Sequence, residues 1–109
     1  MKTRFISLIV SAACISGLMT ACGEEKSVDL MLSAKTYLAK KNDKAAIIQL
    51  KNALQKNPNQ PEARFLLGQA LLNSGNVVAA IVELHKALDL KYPEAQVLPV
   101  LAKIGRAHV

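Results

Sequence analysis

Few residues of this 109-residue chain are of types that carry chemistry. The two cysteines, Cys14 and Cys22, are too few for a disulfide-rich scaffold or for a zinc site built from four cysteines. Two histidines leave little for a histidine-based metal centre, and we expect His85 to be a half-exposed residue on a helix. Ser33 has no evident histidine partner, and no glycine-rich phosphate-binding motif occurs. We therefore expect no catalytic residue, no metal site and no cofactor, and we interpret the chain as a non-enzyme.

Cys22 has the most informative surroundings, because it stands at the end of an N-terminal targeting segment. Lys2 and Arg4 provide positive charge, and the uncharged stretch 5–23 begins with apolar residues and ends with small ones. This is the layout of a secretory signal peptide, to which we assign residues 1–21. The sequence Leu-Met-Thr-Ala-Cys at its end resembles a bacterial lipobox, in which a small residue precedes a cysteine that is lipidated before cleavage. The resemblance implies that Cys22 is the first mature residue and carries lipid.

Two alternatives for this segment stay open. One is an ordinary cleaved signal, and the other is an uncleaved anchor, for which 19 uncharged residues are long enough. In the lipoprotein interpretation, residues 22–26 form a lipidated tether, with Glu24 and Glu25 in solvent. Gly23 favours the outer membrane, because an aspartate after the cysteine usually indicates inner-membrane retention in proteobacterial lipoproteins. We expect a protein anchored by lipid in the bacterial cell envelope and facing the periplasm.

The last six residues, 104–109, do not resemble natural coding sequence. Ile-Gly-Arg-Ala-His-Val is what a common sequencing adapter would encode if it were read as codons. We interpret 104–109 as a sequencing-adapter scar and leave it out of the fold prediction. The natural chain would then break off in mid-helix after Lys103, and a genuine short C-terminus is the alternative.

The formal net charge of +6 overstates the basicity of the natural mature segment, 22–103. Without Lys2, Arg4 and Arg106, eleven basic residues stand against eight acidic ones, and the net charge is +3. The lysine cluster within 40–44 has no interleaved aromatic residues, and a solvated turn explains it more simply than contact with lipid head groups. We therefore expect no nucleic-acid partner.

The middle of the chain contains two copies of one unit. Among the positions that a shift of 34 residues aligns, seven matched pairs are informative, and six of these are identities. The aligned pairs are Ala34 with Gly68, Asn42 with Asn76, Ala46 with Ala80, Ile47 with Ile81, Leu50 with Leu84, Ala53 with Ala87, and Leu54 with Leu88. The matches have the spacing of two helical faces, and the matched asparagines stand at the turn between them.

Each copy is predicted to form a helix, a turn and a second helix. The predicted helices cover 28–40, 44–56, 62–73 and 77–90, and a further helix begins near Glu94 and is cut at Lys103. Asn42 and Asp43 are of types that cap the next helix, and the Asn/Pro-rich segment 57–61 separates the two copies.

This 34-residue period resembles the tetratricopeptide repeat, with small residues where two helices must approach closely. The first copy supplies Ala34, Tyr37, Ala46, Leu50, Ala53 and Pro58, and the second supplies Gly68, Leu71, Ala80, Leu84 and Ala87. The resemblance implies an all-α solenoid of the tetratricopeptide type, with two antiparallel helix pairs and the start of a third. The repeats would occupy 27–60 and 61–94, followed by the truncated helix of a third repeat over 95–103.

Segments 45–58 and 62–68 are also similar to the repeat-bearing lipoprotein of the PEP-CTERM/exosortase system. This resemblance covers 22–103 and implies a scaffold for protein sorting or exopolysaccharide export. Two alternatives stay open: a generic lipoprotein for the assembly of pili or outer-membrane proteins, and the anchor portion of an enzyme whose catalytic domain is missing from this fragment.

The tetratricopeptide resemblance also implies a binding surface, because the first helix of each repeat lines a peptide-holding groove. Carried over by position, the groove residues are Met31, Lys35, Leu38, Phe65, Gln69, Leu72 and Asn73. We therefore expect protein or peptide partners in the cell envelope and no small-molecule substrate. The alternative role for these side chains is packing against neighbouring helices.

Overall fold

The computed structural model describes residues 21–107, with side chains described from Lys26 onwards. Five helices follow one another: α1 (Ala21–Ala39), α2 (Asp43–Lys56), α3 (Pro61–Asn73), α4 (Val77–Asp89) and α5 (Glu94–Ala107). No strand occurs within 21–107. Helix α1 packs against α2 and α3 against α4, while α2 contacts α3 and α4 contacts α5. The short connections make neighbouring helices antiparallel, so the chain forms an all-α solenoid of stacked helix pairs.

Three helices, α1, α3 and α4, end in the same kind of turn. The residues that reverse the chain are Lys41, Gly75 and Lys91, with φ angles of 56°, 83° and 67°. In each turn the following N–H donates to the helix carbonyl five residues earlier, at 2.9 Å, as in a Schellman motif. Asn42 then caps α2, since its Oδ1 accepts from the Ala45 N–H at 3.2 Å, and this confirms the predicted cap. Asn76 caps α4 in the same way through the Ala79 N–H at 3.4 Å.

The connection between the two copies is held by side-chain hydrogen bonds to its carbonyl groups. Gln60 donates through Nε2 to the carbonyl oxygens of Ala53 and Asn57, at 2.9 and 2.8 Å. These carbonyls lie at the C-terminal end of α2, where helical partners are missing. The loop therefore fixes the angle at which α3 follows α2.

Small residues lie where the helices cross, as predicted from the repeat. The alanines with no exposed surface are Ala34, Ala46, Ala53, Ala63, Ala70, Ala80 and Ala87. At Gly68 the approach is closer still, because a Cβ atom placed there would lie 2.8 Å from Leu84 Cγ and 3.3 Å from the Ala80 carbonyl oxygen. Large residues fill the space beside these contacts, and Leu50 and Leu84 are completely buried.

The bounds of α2, α3 and α4 lie within one residue of the predicted ones, but both ends of the array differ. Helix α1 covers Ala21–Ala39 rather than 28–40, so the segment 22–26, predicted to be a tether, is helical.

Helix α5 continues to Ala107, so leaving residues 104–107 out of the fold was wrong. Ile104 is only 5% exposed and belongs to a buried cluster with Phe65, Leu84, Ala87 and Val97. Ile104 follows Val97 by seven residues, which is two helical turns, and both therefore face α4. Within 21–107 no helix has the length and apolar character needed to cross a membrane.

Candidate functional site

The first helices of successive repeats, α1, α3 and α5, together form one face of the solenoid. The larger depression on this face, here called the central cleft, has a volume of about 740 Å³. It is lined by Leu38, Lys41, Asp43, Gln69, Leu72, Asn73, Pro99, Val100 and Lys103. Four of the seven predicted groove residues therefore line one cleft: Leu38, Gln69, Leu72 and Asn73. A cleft of this size suits a few residues of an extended or helical peptide.

Two further predicted residues, Met31 and Lys35, lie in a second depression, here called the N-terminal cleft. It has a volume of about 490 Å³ and lies between α1 and the start of α3. The Lys35 amine forms an ion pair with the Glu62 carboxylate across this cleft, with an N–O distance of 2.9 Å. Both side chains are about half exposed, so the pair adds little to stability. It does leave this cleft locally neutral.

Phe65, the seventh predicted groove residue, is in the core. Only 6% of its surface is exposed, and its ring stacks on Tyr92, with 4.7 Å between ring centroids and 22° between planes. The structure thus gives Phe65 the packing role that was the alternative for this set. Burial, with a smaller effect of the Glu62 charge, raises the pKa of the Tyr92 hydroxyl above its ordinary value. That hydroxyl donates to Gln96 Oε1 at 3.0 Å, which links the stack to the first turn of α5.

The charges in the central cleft are unevenly paired. Its one carboxylate, on Asp43, accepts a hydrogen bond from Asn73 Nδ2 at 3.2 Å. Lys41 and Lys103 reach the cleft from the α1–α2 turn and from α5. Among the residues with described side chains, no carboxylate lies within 4.0 Å of either amine. The cleft therefore combines an apolar surface, two amide side chains and two cations without an ion-pair partner in that part of the chain.

A partly buried ion pair joins α3 to α4. Arg64 Nη1 donates to Glu83 Oε2 at 2.7 Å, and its Nε and Nη2 donate to the Pro58 carbonyl oxygen. Burial alone would raise the pKa of the Glu83 carboxyl, but hydrogen bonds from Arg64 and Lys86 outweigh it and hold the pKa below its ordinary value. Arg64 on α3 is thus bonded both to the loop, through Pro58, and to α4, through the Glu83 carboxylate.

Sequence reasoning missed the contribution of α5 to the central cleft. Pro99 and Lys103 lie 34 residues after the predicted groove residues Phe65 and Gln69. Carrying the groove positions over to the third repeat would therefore have predicted them. Lys41 and Asp43 had been placed in a capping turn, and only the fold shows that this turn borders the cleft.

Residues of metal-binding types are not clustered in the described part of the chain. It contains no group of three or more His, Cys, Asp or Glu residues placed to hold a metal ion. His85 is exposed on α4, rather than half-exposed as expected. Cys22 lies in α1, but its side chain is outside the described set, as are the whole of Cys14 and residues 1–20 of the predicted signal peptide, 1–21.

Comparison with known proteins agrees with the repeat geometry. A search of curated proteins gave no match. The family model described as tetratricopeptide repeat matches residues 37–104, which is more than half of the chain and includes every residue that lines the central cleft and part of the N-terminal cleft. Proteins of this family generally act as scaffolds for protein–protein interaction. With its 34-residue period, its stacked helix pairs and this match, the chain belongs to the tetratricopeptide repeat family.

Proposed function

We propose that the protein is a lipid-anchored scaffold of the bacterial cell envelope that holds partner proteins through peptide segments bound in the central cleft. The observation that carries the proposal is the cleft itself, to which three successive first helices contribute. Leu38, Leu72 and Val100 offer apolar contact, while Gln69 and Asn73 offer amide groups to a peptide backbone. Binding of this kind needs no catalytic group, and we propose that the protein acts without chemistry of its own.

The anchor is proposed to be lipid on Cys22. Several acyl chains, at about 0.8 kcal/mol for each buried CH₂ group, hold a protein firmly on a bilayer. Because Cys22 lies within α1, a lipid on Cys22 would join the helix directly, with no flexible tether between them. The solenoid would then sit close to the membrane, with its clefts facing the periplasm; Gly23 favours the outer membrane.

The process served is proposed to be protein sorting or exopolysaccharide export linked to an exosortase. Support for this step is the similarity of segments 45–58 and 62–68 to the lipoprotein of that system. A scaffold suits such a process, because it raises the local concentration of the components that it binds.

Anchoring is tested by metabolic labelling with an alkyne-bearing palmitate in a Gram-negative host. We expect the full chain and Cys14→Ser to incorporate label and to float with membranes. Cys22→Ser should lose both label and membrane association. Equal labelling of Cys22→Ser would refute the anchor.

Partner binding is tested by photo-crosslinking in cells of the source bacterium. A photoreactive amino acid at Gln69 should give discrete protein adducts, whereas the same group at Lys51, exposed on α2 and outside both clefts, should not. Identical adducts at both positions would contradict binding in the cleft. Deletion of the gene should also reduce secreted exopolysaccharide or protein sorting, with recovery by the wild type but not by Cys22→Ser.

A further inference from the structure

The central cleft carries a charge preference that the general scaffold role does not specify. We propose that it selects peptide segments in which an aliphatic side chain is flanked by aspartate or glutamate. This inference rests on the proposed peptide-binding function and names the chemistry of the partner at the same site.

The aliphatic part of the preference follows from the surface of the cleft. Leu38 and Leu72, which occupy equivalent repeat positions, lie there together with Pro99 and Val100, and none of the four is fully buried. Apolar area on a partner would be removed from water against them, which favours binding of an aliphatic side chain. Gln69 and Asn73, one helical turn apart on α3, line the same cleft, and the Asn73 Oδ1 can accept a hydrogen bond from a peptide N–H while its Nδ2 is bound to Asp43.

The acidic part follows from the two lysines. Lys41 and Lys103 belong to different elements and line the same cleft. Asp43 is the one carboxylate that lines it, and it is engaged by Asn73 at 3.2 Å. In the N-terminal cleft, by contrast, the amine of Lys35 is already neutralised by Glu62 at 2.9 Å. Among the residues with described side chains, cations without an ion-pair partner thus line the central cleft and not the N-terminal cleft, and a partner of opposite charge complements only the central cleft.

The shape of the site favours a peptide over an anionic bilayer surface as the source of that negative charge. Lys41 and Lys103 border a depression of about 740 Å³ formed between three elements. A peptide can enter such a depression and contact its apolar surface and both amines together. A flat array of head groups would reach the rim and leave that surface in contact with water.

The test is a selection from a library of random phage-displayed peptides on the full chain in nonionic detergent. We expect the recovered peptides to combine Leu, Ile or Val with neighbouring Asp or Glu. The variant Lys41→Glu/Lys103→Glu should bind these peptides at least about tenfold more weakly, because two attractions become repulsions. Selection on that variant should yield basic rather than acidic flanks.

The matched control is Lys51→Glu/Lys56→Glu, which makes the same charge change at exposed positions of α2 outside both clefts. It should keep the affinity for acidic peptides within about twofold, since long-range fields are screened beyond about 10 Å at 0.1 M salt. Circular dichroism shows that each variant is folded before it is compared.

Four results would overturn the inference. Peptides without acidic enrichment, or equal binding by the cleft variant and the control, would refute the charge preference and leave the peptide-binding function standing. Recovery of no peptide at all would refute both. If the cleft variant instead lost flotation with phosphatidylglycerol vesicles while its peptide binding was unchanged, the lysines would serve a lipid surface.

Discussion

Gly68 is the position where the packing of α3 against α4 is most sensitive to one added methyl group. A Cβ atom there would lie 2.8 Å from Leu84 Cγ and 2.9 Å from Leu84 Cδ2, distances that real contacts do not reach. Leu84 cannot easily give way, because it is fully buried in the cluster that also holds Phe65 and Val97. The Ala80 carbonyl, at 3.3 Å, restricts the space from the backbone side. Gly68→Ala must therefore separate α3 from α4 or move Leu84 from its position.

Two opposing effects set the size of the change. Replacing glycine by alanine inside a helix gains about 0.8–1.0 kcal/mol of helix propensity. Forcing one extra methyl group into a packed core typically loses about 1–3 kcal/mol. Overpacking should prevail, because the contacts include Leu84 Cγ and a backbone oxygen and not only the tip of the Leu84 side chain. We expect a net loss of about 1 kcal/mol in the free energy of unfolding and a Tm lower by about 4–8 °C.

The assay is thermal and urea unfolding of the full chain followed by circular dichroism. Gly105→Ala is the matched control, since Gly105 is also helical but has nothing within 4 Å of an added Cβ atom. That variant should gain up to about 1 kcal/mol, reduced by fraying of the last turn. If Gly68→Ala were as stable as Gly105→Ala or more so, the close approach of α3 and α4 would be refuted.

Three other changes test the turn after α4, the cap of α4 and the Arg64–Glu83 ion pair by the same unfolding measurements. Lys91→Gly should stabilise the chain by about 1 kcal/mol, because φ at Lys91 is 67° and only glycine adopts that angle without strain; an unchanged urea midpoint would contradict the left-handed turn. Asn76→Ala should destabilise it by about 1 kcal/mol through loss of the α4 cap, and Asn76→Asp should restore most of that loss. Glu83 has a folded-state pKa below the unfolded value near 4.5, so its stabilisation is present above that pH and is lost as the pH falls through the folded-state pKa. Glu83→Gln should therefore flatten the pH dependence of the urea midpoint in that acidic range, and an unaltered pH dependence would contradict the depressed pKa.

The helix bounds were predictable where the sequence itself marks the ends. Asn42 and Asn76 cap helices, and Pro61 begins one, so α2, α3 and α4 lie within one residue of the predicted bounds. No comparable signal marks the start of α1. The prediction relied on the lipobox and assigned residues 22–26 to a tether, although Glu and Lys are good helix formers.

The end of α5 was mispredicted because residues 104–109 were left out of the fold prediction. The prediction judged Ile104 by the origin of its codon, whereas packing depends only on the side chain and its position. Ile104 continues the apolar stripe of Val97 and Val100 and is buried beside α4. An apolar residue at this register would be buried there whatever sequence had encoded it.

Phe65 was assigned to the groove because its repeat position lines the groove in the family. The register fails at this point: Tyr92 stands where Pro58 stands in the first copy, and the proline follows one residue later. An aromatic ring is thereby placed within stacking distance of Phe65, and the pair becomes part of the core. Phe65 is therefore in the core because the second copy departs from the repeat at Tyr92.

In the central cleft, too, residues that follow the repeat and residues that depart from it have different roles. Leu38 and Leu72 are identical residues at equivalent positions, and both line it. The charged residues are not repeated: Lys41 corresponds to Gly75, and Asp43 to Val77. Repeated residues form the helix crossings and the apolar surface, which a 34-residue period can predict. Unrepeated residues set the charge that a partner meets, and they become a site only when the stacked helices bring a turn of one repeat and a helix of another to the same cleft.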